Sequence, residues 1–262
     1  MKILYQLSFL FIYISINLNS FSNYYAEIDS ANQFYAKNKF EDAISGYKSI
    51  IDSGVESSAI YYNLGNAYFK TNNIPKAIVN YERALLLNPN DEDIKYNLEL
   101  ANTFIIDKIE SIPPFFLKLW LNNFSMLMQS NNWAIISISG FIIFLIFSLI
   151  YLFTNKIVVK KLSFWFGIVI FIISISAFGF ANRNKNLLTK NNTAIIMASS
   201  VTAKSTPDES GTDLFVVHEG TKVKVNDKIG NWVEIKLSDG NKGWILSQQL
   251  EQIVNYNNKK IF

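Results

Sequence analysis

Few residues in this chain could carry out chemistry. His218 is its single histidine, and none of its 262 residues is cysteine. That removes a thiolate nucleophile, thiolate metal ligands and disulfides together. A protein-only zinc site would need mostly carboxylate ligands, which is unusual for that metal, so neither a metal nor a cofactor is expected. His218 opens the run His218-Glu219-Gly220-Thr221 at a strand-to-turn position and is expected at the surface. The Asp and Glu residues are scattered as solvated charge, with no pair marked out by spacing. There is no phosphate loop, no HExxH and no GxSxG motif. No compact basic patch argues for nucleic acid. These absences point away from an enzyme and leave recognition, by side-chain amides that bond a peptide backbone and by aromatic rings that pack side chains.

The elements that must carry such groups differ sharply along the chain. Residues 23–110 hold 8 basic and 13 acidic side chains, 111–190 hold 7 basic and no acidic ones, and 191–262 hold 8 of each. Trp133 to Phe153 is 21 residues without a charge, and Leu162 to Phe180 is 19. At a rise of about 1.5 Å per residue either helix covers roughly the 30 Å hydrocarbon layer. The short segment 154–161 between them contains Lys156, Lys160 and Lys161, which predicts a helical hairpin with a cytoplasmic turn. Arg183, Lys185 and Lys190 on the other side weaken that bias without reversing it. Leu4 to Leu18 after Lys2, then Ser20-Phe21-Ser22, reads as a signal peptide over 1–22; an uncleaved anchor is the alternative. Pro113-Pro114 breaks the preceding helix. The run 115–128 after it, FFLKLWLNNFSMLM, reads as an interfacial segment, with a third span as the alternative.

The sequence repeats with a period of 34: Ala31 aligns with Gly65, Phe34 with Tyr68, Ala43 with Ala77, Tyr47 with Tyr81, and Tyr62-Asn63-Leu64 with Tyr96-Asn97-Leu98. Residues 58–90 resemble the tetratricopeptide (TPR) pattern at Leu64, Gly65, Tyr68, Ala77, Tyr81, Ala84 and Pro89. Two units and a last helix over Asp91 to Ile109, acidic at its start, are expected within 23–112. The resemblance implies a concave face of first helices that holds peptides, with groove positions Asn32, Tyr35, Tyr62, Asn63, Asn66, Phe69, Tyr96 and Asn97. The positions that clamp a C-terminal carboxylate in chaperone-binding members carry Ile28, Tyr62, Asp93 and Asn97 here, so that kind of clamp is not expected.

Beyond Lys190 the period changes to that of strands. Thr221 to Lys228 alternates, Asp239-Gly240 is a hairpin signal, and five or more short strands fit a small barrel over 193–254. The strings His218-Glu219-Gly220-Thr221, Asn231-Trp232-Val233-Glu234-Ile235 and Gly243-Trp244-Ile245 resemble the bacterial SH3 (SH3b) family. That resemblance implies a wall-binding, protein-binding or targeting module in which Trp232 and Trp244 form an aromatic ligand shelf; the competing reading places each in the core.

The predicted fold class is a multidomain membrane protein: all-α TPR helical repeats, a two-helix transmembrane hairpin and an all-β SH3-like barrel. Its segments are a signal peptide at 1–22, TPR at 23–112, an interfacial linker at 113–132, spans at 133–153 and 162–181 around a loop at 154–161, a linker at 182–192, SH3b at 193–254 and a tail at 255–262. In this order the parts resemble BatE-like proteins of the Bacteroides aerotolerance operon. The signal peptide and the lysine-bearing turn predict both modules on the outer side of the bacterial inner membrane, facing the periplasm, and two interaction modules without a catalytic constellation predict a scaffold there; the resemblance implies a complex with membrane proteins. It also implies envelope partners bearing von Willebrand A-type domains; a peptidoglycan-binding wall sensor is the alternative.

Overall fold

The computed structural model describes residues 25–109, 115–189 and 192–254. The signal-peptide segment, Pro113-Pro114 and the tail at 255–262 lie outside the described residues. The rest forms two compact units, one built from the helical repeats together with the C-terminal β module, the other from the apolar helices.

In the first unit, α1 covers 25–36, α2 Phe40–Asp52, α3 Ser58–Lys70, α4 Ile74–Leu87 and α5 Glu92–Asn102. The turn after each first helix is built alike. Asn38 and Asn72 take φ of 58° and 60°, a region that asparagine tolerates better than most residues, and the following amides of Lys39 and Asn73 close onto Phe34 O and Tyr68 O. The Ser57 hydroxyl caps α3, and the Asp91 carboxylate caps α5 through Asp93 N and Ile94 N. Gly65 leaves room for Tyr81, since a Cβ there would stand 2.7 Å from the ring. In the first unit of the repeat Ala31 replaces this glycine, and its Cβ faces Gly46.

The last helix is shorter than the sequence predicts. It ends at Asn102, where Thr103 turns its hydroxyl back to Leu100 O. Residues 105–109 then run on as irregular chain toward the β module.

That module is one antiparallel sheet: β1 Thr193–Ile196, β2 Ser200–Lys204, β3 Asp213–His218, β4 Lys222–Ile229, β5 Trp232–Lys236, β6 Lys242–Leu246 and β7 Leu250–Gln252, in the order β3-β2-β6-β5-β4-β1-β7. Val217 of β3 and Ile196 of β1, from distant places in that order, share one core with Val223, Val233, Ile235 and Ile245. The sheet therefore curls around its buried face, as an SH3-like barrel does.

In the second unit, α6 is Phe116–Met126, α7 Ser130–Phe153 and α8 Ile157–Thr189. The last two are long and apolar enough to cross a membrane. They pair antiparallel: Ser174 Oγ donates to Ser137 O at 2.7 Å, Phe144 meets Phe171, Phe147 meets Phe166 and Tyr151 meets Phe164. The break between them is 154–156, not the eight residues the charges suggest. Lysine is a good helix former, so Lys160 and Lys161 continue α8, and Lys160 lies over the Tyr151 ring at 4.9 Å. The helix likewise runs on through the expected linker to Thr189. There Arg183 donates to Ser125 Oγ and Asn122 Oδ1, and Asn184 donates to Ser125 O, which docks α6 onto α8.

Candidate functional site

The predicted groove residues come together on α1, α3 and α5, and most of their amides are joined in a network that repeats with the sequence. Asn32 Oδ1 accepts from Tyr47 Oη at 2.7 Å and from Asn63 Nδ2 at 3.1 Å. One unit later, Asn66 Oδ1 accepts from Tyr81 Oη at 2.8 Å and from Asn97 Nδ2 at 3.0 Å. Asn97 Nδ2 also donates to Tyr62 Oη at 2.8 Å. Each acceptor thus takes a tyrosine from its own unit and an asparagine from the next.

This arrangement fixes which groups remain for a ligand. The two donor hydrogens of Asn97 Nδ2 are used, whereas the Nδ2 groups of Asn32 and Asn66 make no hydrogen bond among the described residues. The Oδ1 atoms of Asn63 and Asn97 are likewise without a donor there. A first-helix face with two amide donors and two amide acceptors matches the alternating N–H and C=O groups of an extended peptide.

The aromatic members fall into two groups. Tyr35 stands edge-on to Phe40 and Phe69 edge-on to Phe104, while Tyr96 is 67% exposed. Behind them the repeat tyrosines are held neutral. Burial, followed by the neighbouring Tyr35, pushes the Tyr47 phenol up to about 12, and burial raises Tyr81 as well. Tyr47 and Tyr81 are buried supports, which the sequence marks only as equivalent positions of the repeat. The period of 34 that pairs 47 with 32 and 81 with 66 was the signal available for their bonding role.

Trp232 and Trp244 both lie on the outward face of the sheet, half-buried, while their neighbours Val233, Gly243 and Ile245 point inward. Register places Trp232 opposite Leu246 and Trp244 opposite Glu234, which makes the two indoles diagonal neighbours on β5 and β6. Neither belongs to the core cluster.

A third set was not foreseen as a group. His218 is not a free surface histidine. Its backbone N–H and Nδ1 meet Asp107 Oδ2 and Oδ1, each at 2.7 Å, and Thr221 Oγ1 donates to Oδ2 at 2.8 Å. Burial would raise the Asp107 carboxyl, but the bonds from His218 and Thr221 outweigh it and hold the group below the ordinary carboxylate range. Nearby, Arg83 donates to Ile253 O at 3.0 Å and Gln252 O at 2.9 Å, and pairs with Glu251 at 2.9 Å. Lys222 pairs with Glu82 at 2.7 Å. Ile195 and Ile253 of the β module are buried in the core cluster of the repeats. Gly220, at φ +85°, passes so close that a Cβ would stand 3.1 Å from Ile105.

Residues 58–91 match the model of the tetratricopeptide repeat, and residues 199–251 match that of the bacterial SH3 domain. The chain carries both modules. No curated protein matches it. TPR and SH3b are interaction modules, so the matches support protein binding or cell-wall binding by this chain.

Proposed function

We propose that this protein is a non-enzymatic, membrane-anchored scaffold of the bacterial envelope. In this reading the TPR face holds an extended segment of a partner protein, the apolar hairpin anchors the chain in the inner membrane, and both modules face the periplasm. The observation that carries it is the repeating amide network, which leaves Asn32 Nδ2 and Asn66 Nδ2 as donors and Asn63 Oδ1 and Asn97 Oδ1 as acceptors. Tyr35, Tyr62, Phe69 and Tyr96 would pack the side chains of the segment. The order of the parts supports a place in a complex of the Bat aerotolerance type, with membrane proteins bearing von Willebrand A-type domains as partners.

The test is a photo-crosslinking residue at position 96 of the full chain in native membranes, read by mass spectrometry with and without Asn32→Ala and Asn66→Ala. One dominant partner peptide that is lost in the double variant is expected. A crosslink pattern that the two substitutions leave unaltered refutes the groove.

A second reading rests on Trp232 and Trp244 sharing the outward SH3b face: the module binds peptidoglycan and the protein senses the wall. Sedimentation of the detergent-solubilised full chain with purified sacculi tests it, since Trp232→Ala with Trp244→Ala must abolish co-sedimentation.

A further inference from the structure

Strands β4, β5 and β6 lie side by side, and their registers place Lys224 opposite Lys236 and Lys236 opposite Lys242. All three alternate with inward residues (Val223 and Val225, Ile235, Gly243), so the lysines share one row on the outward face. Residues directly opposite in an antiparallel pair have Cβ atoms about 4.5–5.5 Å apart, and like charges there are destabilising. This row makes that unfavourable pairing twice, with half-buried Lys236 in both pairs.

Among the described residues the protein supplies one acid to these three lysines: no acid stands within ion-pair distance of Lys224 or Lys236, and Lys242 has only Glu234 at 3.9 Å. Glu234 also accepts from Asn226 Nδ2 at 3.1 Å. Lys222, the next lysine on β4, is committed to Glu82. The row opens into a shallow cavity of about 520 Å³, whose other polar walls include Asn226 and Ser238.

We propose that the Lys224–Lys236–Lys242 row is a binding site for a phosphate-bearing polyanion, a diphosphate or a longer run of phosphates, either free or presented as a lipid headgroup. Strands are spaced about 4.8 Å apart, so the three ammonium groups spread over roughly 10 Å. A single carboxylate offers one charge to that span. Adjacent phosphates offer several, with oxygens on every side, and lysine serves them as a mobile three-donor point charge. The ligand would relieve the repulsion between the facing lysines. This site is independent of the TPR groove and adjoins Trp244 on the outward face of β5 and β6.

The test uses the full chain in phosphatidylcholine nanodiscs, titrated with sodium tripolyphosphate by calorimetry. Wild type is expected to bind saturably, and Lys224→Gln with Lys236→Gln and Lys242→Gln to weaken binding by at least about tenfold. The charge-matched control Lys48→Gln with Lys70→Gln and Lys228→Gln should change it by no more than about twofold. Lys236→Arg should retain binding. Equal losses in row and control variants, or no saturable binding to wild type, overturn the proposal. Nanodiscs containing cardiolipin, whose headgroup carries two phosphates, then separate the sources. If headgroups occupy the row, tripolyphosphate affinity falls about fivefold or more for wild type but not for the row variant. If the ligand is soluble, both variants shift alike.

Discussion

Asp107 is the residue whose removal should most clearly separate the two modules. Its side chain is 14% exposed and accepts three hydrogen bonds, two from His218 and one from Thr221. In Asp107→Ala the hydroxyl of Thr221, a residue only 4% exposed, loses its partner. An unsatisfied buried group costs about 1–3 kcal/mol, and a bond to an ionised acceptor contributes about 1.5–3 kcal/mol. Because these terms overlap and His218 is partly solvated, the expected loss is about 3 kcal/mol for opening the contact. At about 1.4 kcal/mol per tenfold, amide exchange in a peptide spanning 213–222 should quicken roughly a hundredfold. The assay is hydrogen exchange with mass spectrometry on the detergent-solubilised chain at neutral pH. Asp107→Asn keeps one oxygen for His218 N–H and Thr221, and its amide can donate to His218 Nδ1 in the other tautomer. That variant should lose only about 1 kcal/mol. The pH dependence follows from the depressed carboxyl: folded below unfolded means the stabilisation is present above the ordinary value of about 3.9 and is lost as pH falls through the folded value. Asp107→Asn should be flat in that acid window. A change below about threefold in Asp107→Ala, against the hundredfold expected, would refute the assignment of this carboxylate as the lock.

Gly65→Ala should lower the melting temperature followed by circular dichroism, at a cost of about 1–3 kcal/mol for overpacking, because its Cβ meets a Tyr81 ring held by Asn66. Tyr47 should ionise only at about pH 12, visible as a near-ultraviolet absorbance step absent in Tyr47→Phe. Its folded value lies above the unfolded value of about 10, so the stability it confers is full below pH 10 and lost as pH rises through the folded value. The absence of cysteine gives the hairpin a clean test. An ideal Cβ at Gly140 lies 3.2 Å from Ser174 Cβ, close to disulfide reach, so Gly140→Cys with Ser174→Cys should crosslink within one chain on mild oxidation. Gly140→Cys with Phe164→Cys should not, and a crosslink of equal yield there would deny the antiparallel register.

The parts with a strict period were the legible ones. A shift of 34 located both TPR units, and the alternation over Thr221 to Lys228 located β4 with its inward Val223 and Val225. Helix ends were less legible, because charge marks solvent and not helix termination: Lys160, Lys161, Arg183 and Lys185 all lie inside α8. Contacts far apart in sequence were not legible at all. Nothing local to Asp107 announces His218, 111 residues away. The cationic row is not visible as a basic patch in the sequence for the same reason. Lys224, Lys236 and Lys242 are dispersed along the chain, and only strand register assembles them.

The way the modules meet has a consequence for how such a scaffold would recognise anything. The β module is held through Lys76, Glu82 and Arg83 of α4 and through Asp107. None of the eight groove residues on α1, α3 and α5 has a hydrogen bond or ion pair to residues 192–254. Helix α4 and the chain after α5 carry the docking, so the groove residues of the first helices stay available to a ligand. Two modules on a flexible linker would share a partner at an effective concentration set by linker length. Here Ile195 and Ile253 are buried in the core of the repeats, and Arg83 ties down the last strand by its backbone. The groove and the sheet face are therefore held in one body. A partner engaging both would lose no linker freedom on binding, and a partner whose two contacts were spaced differently would gain nothing from the second.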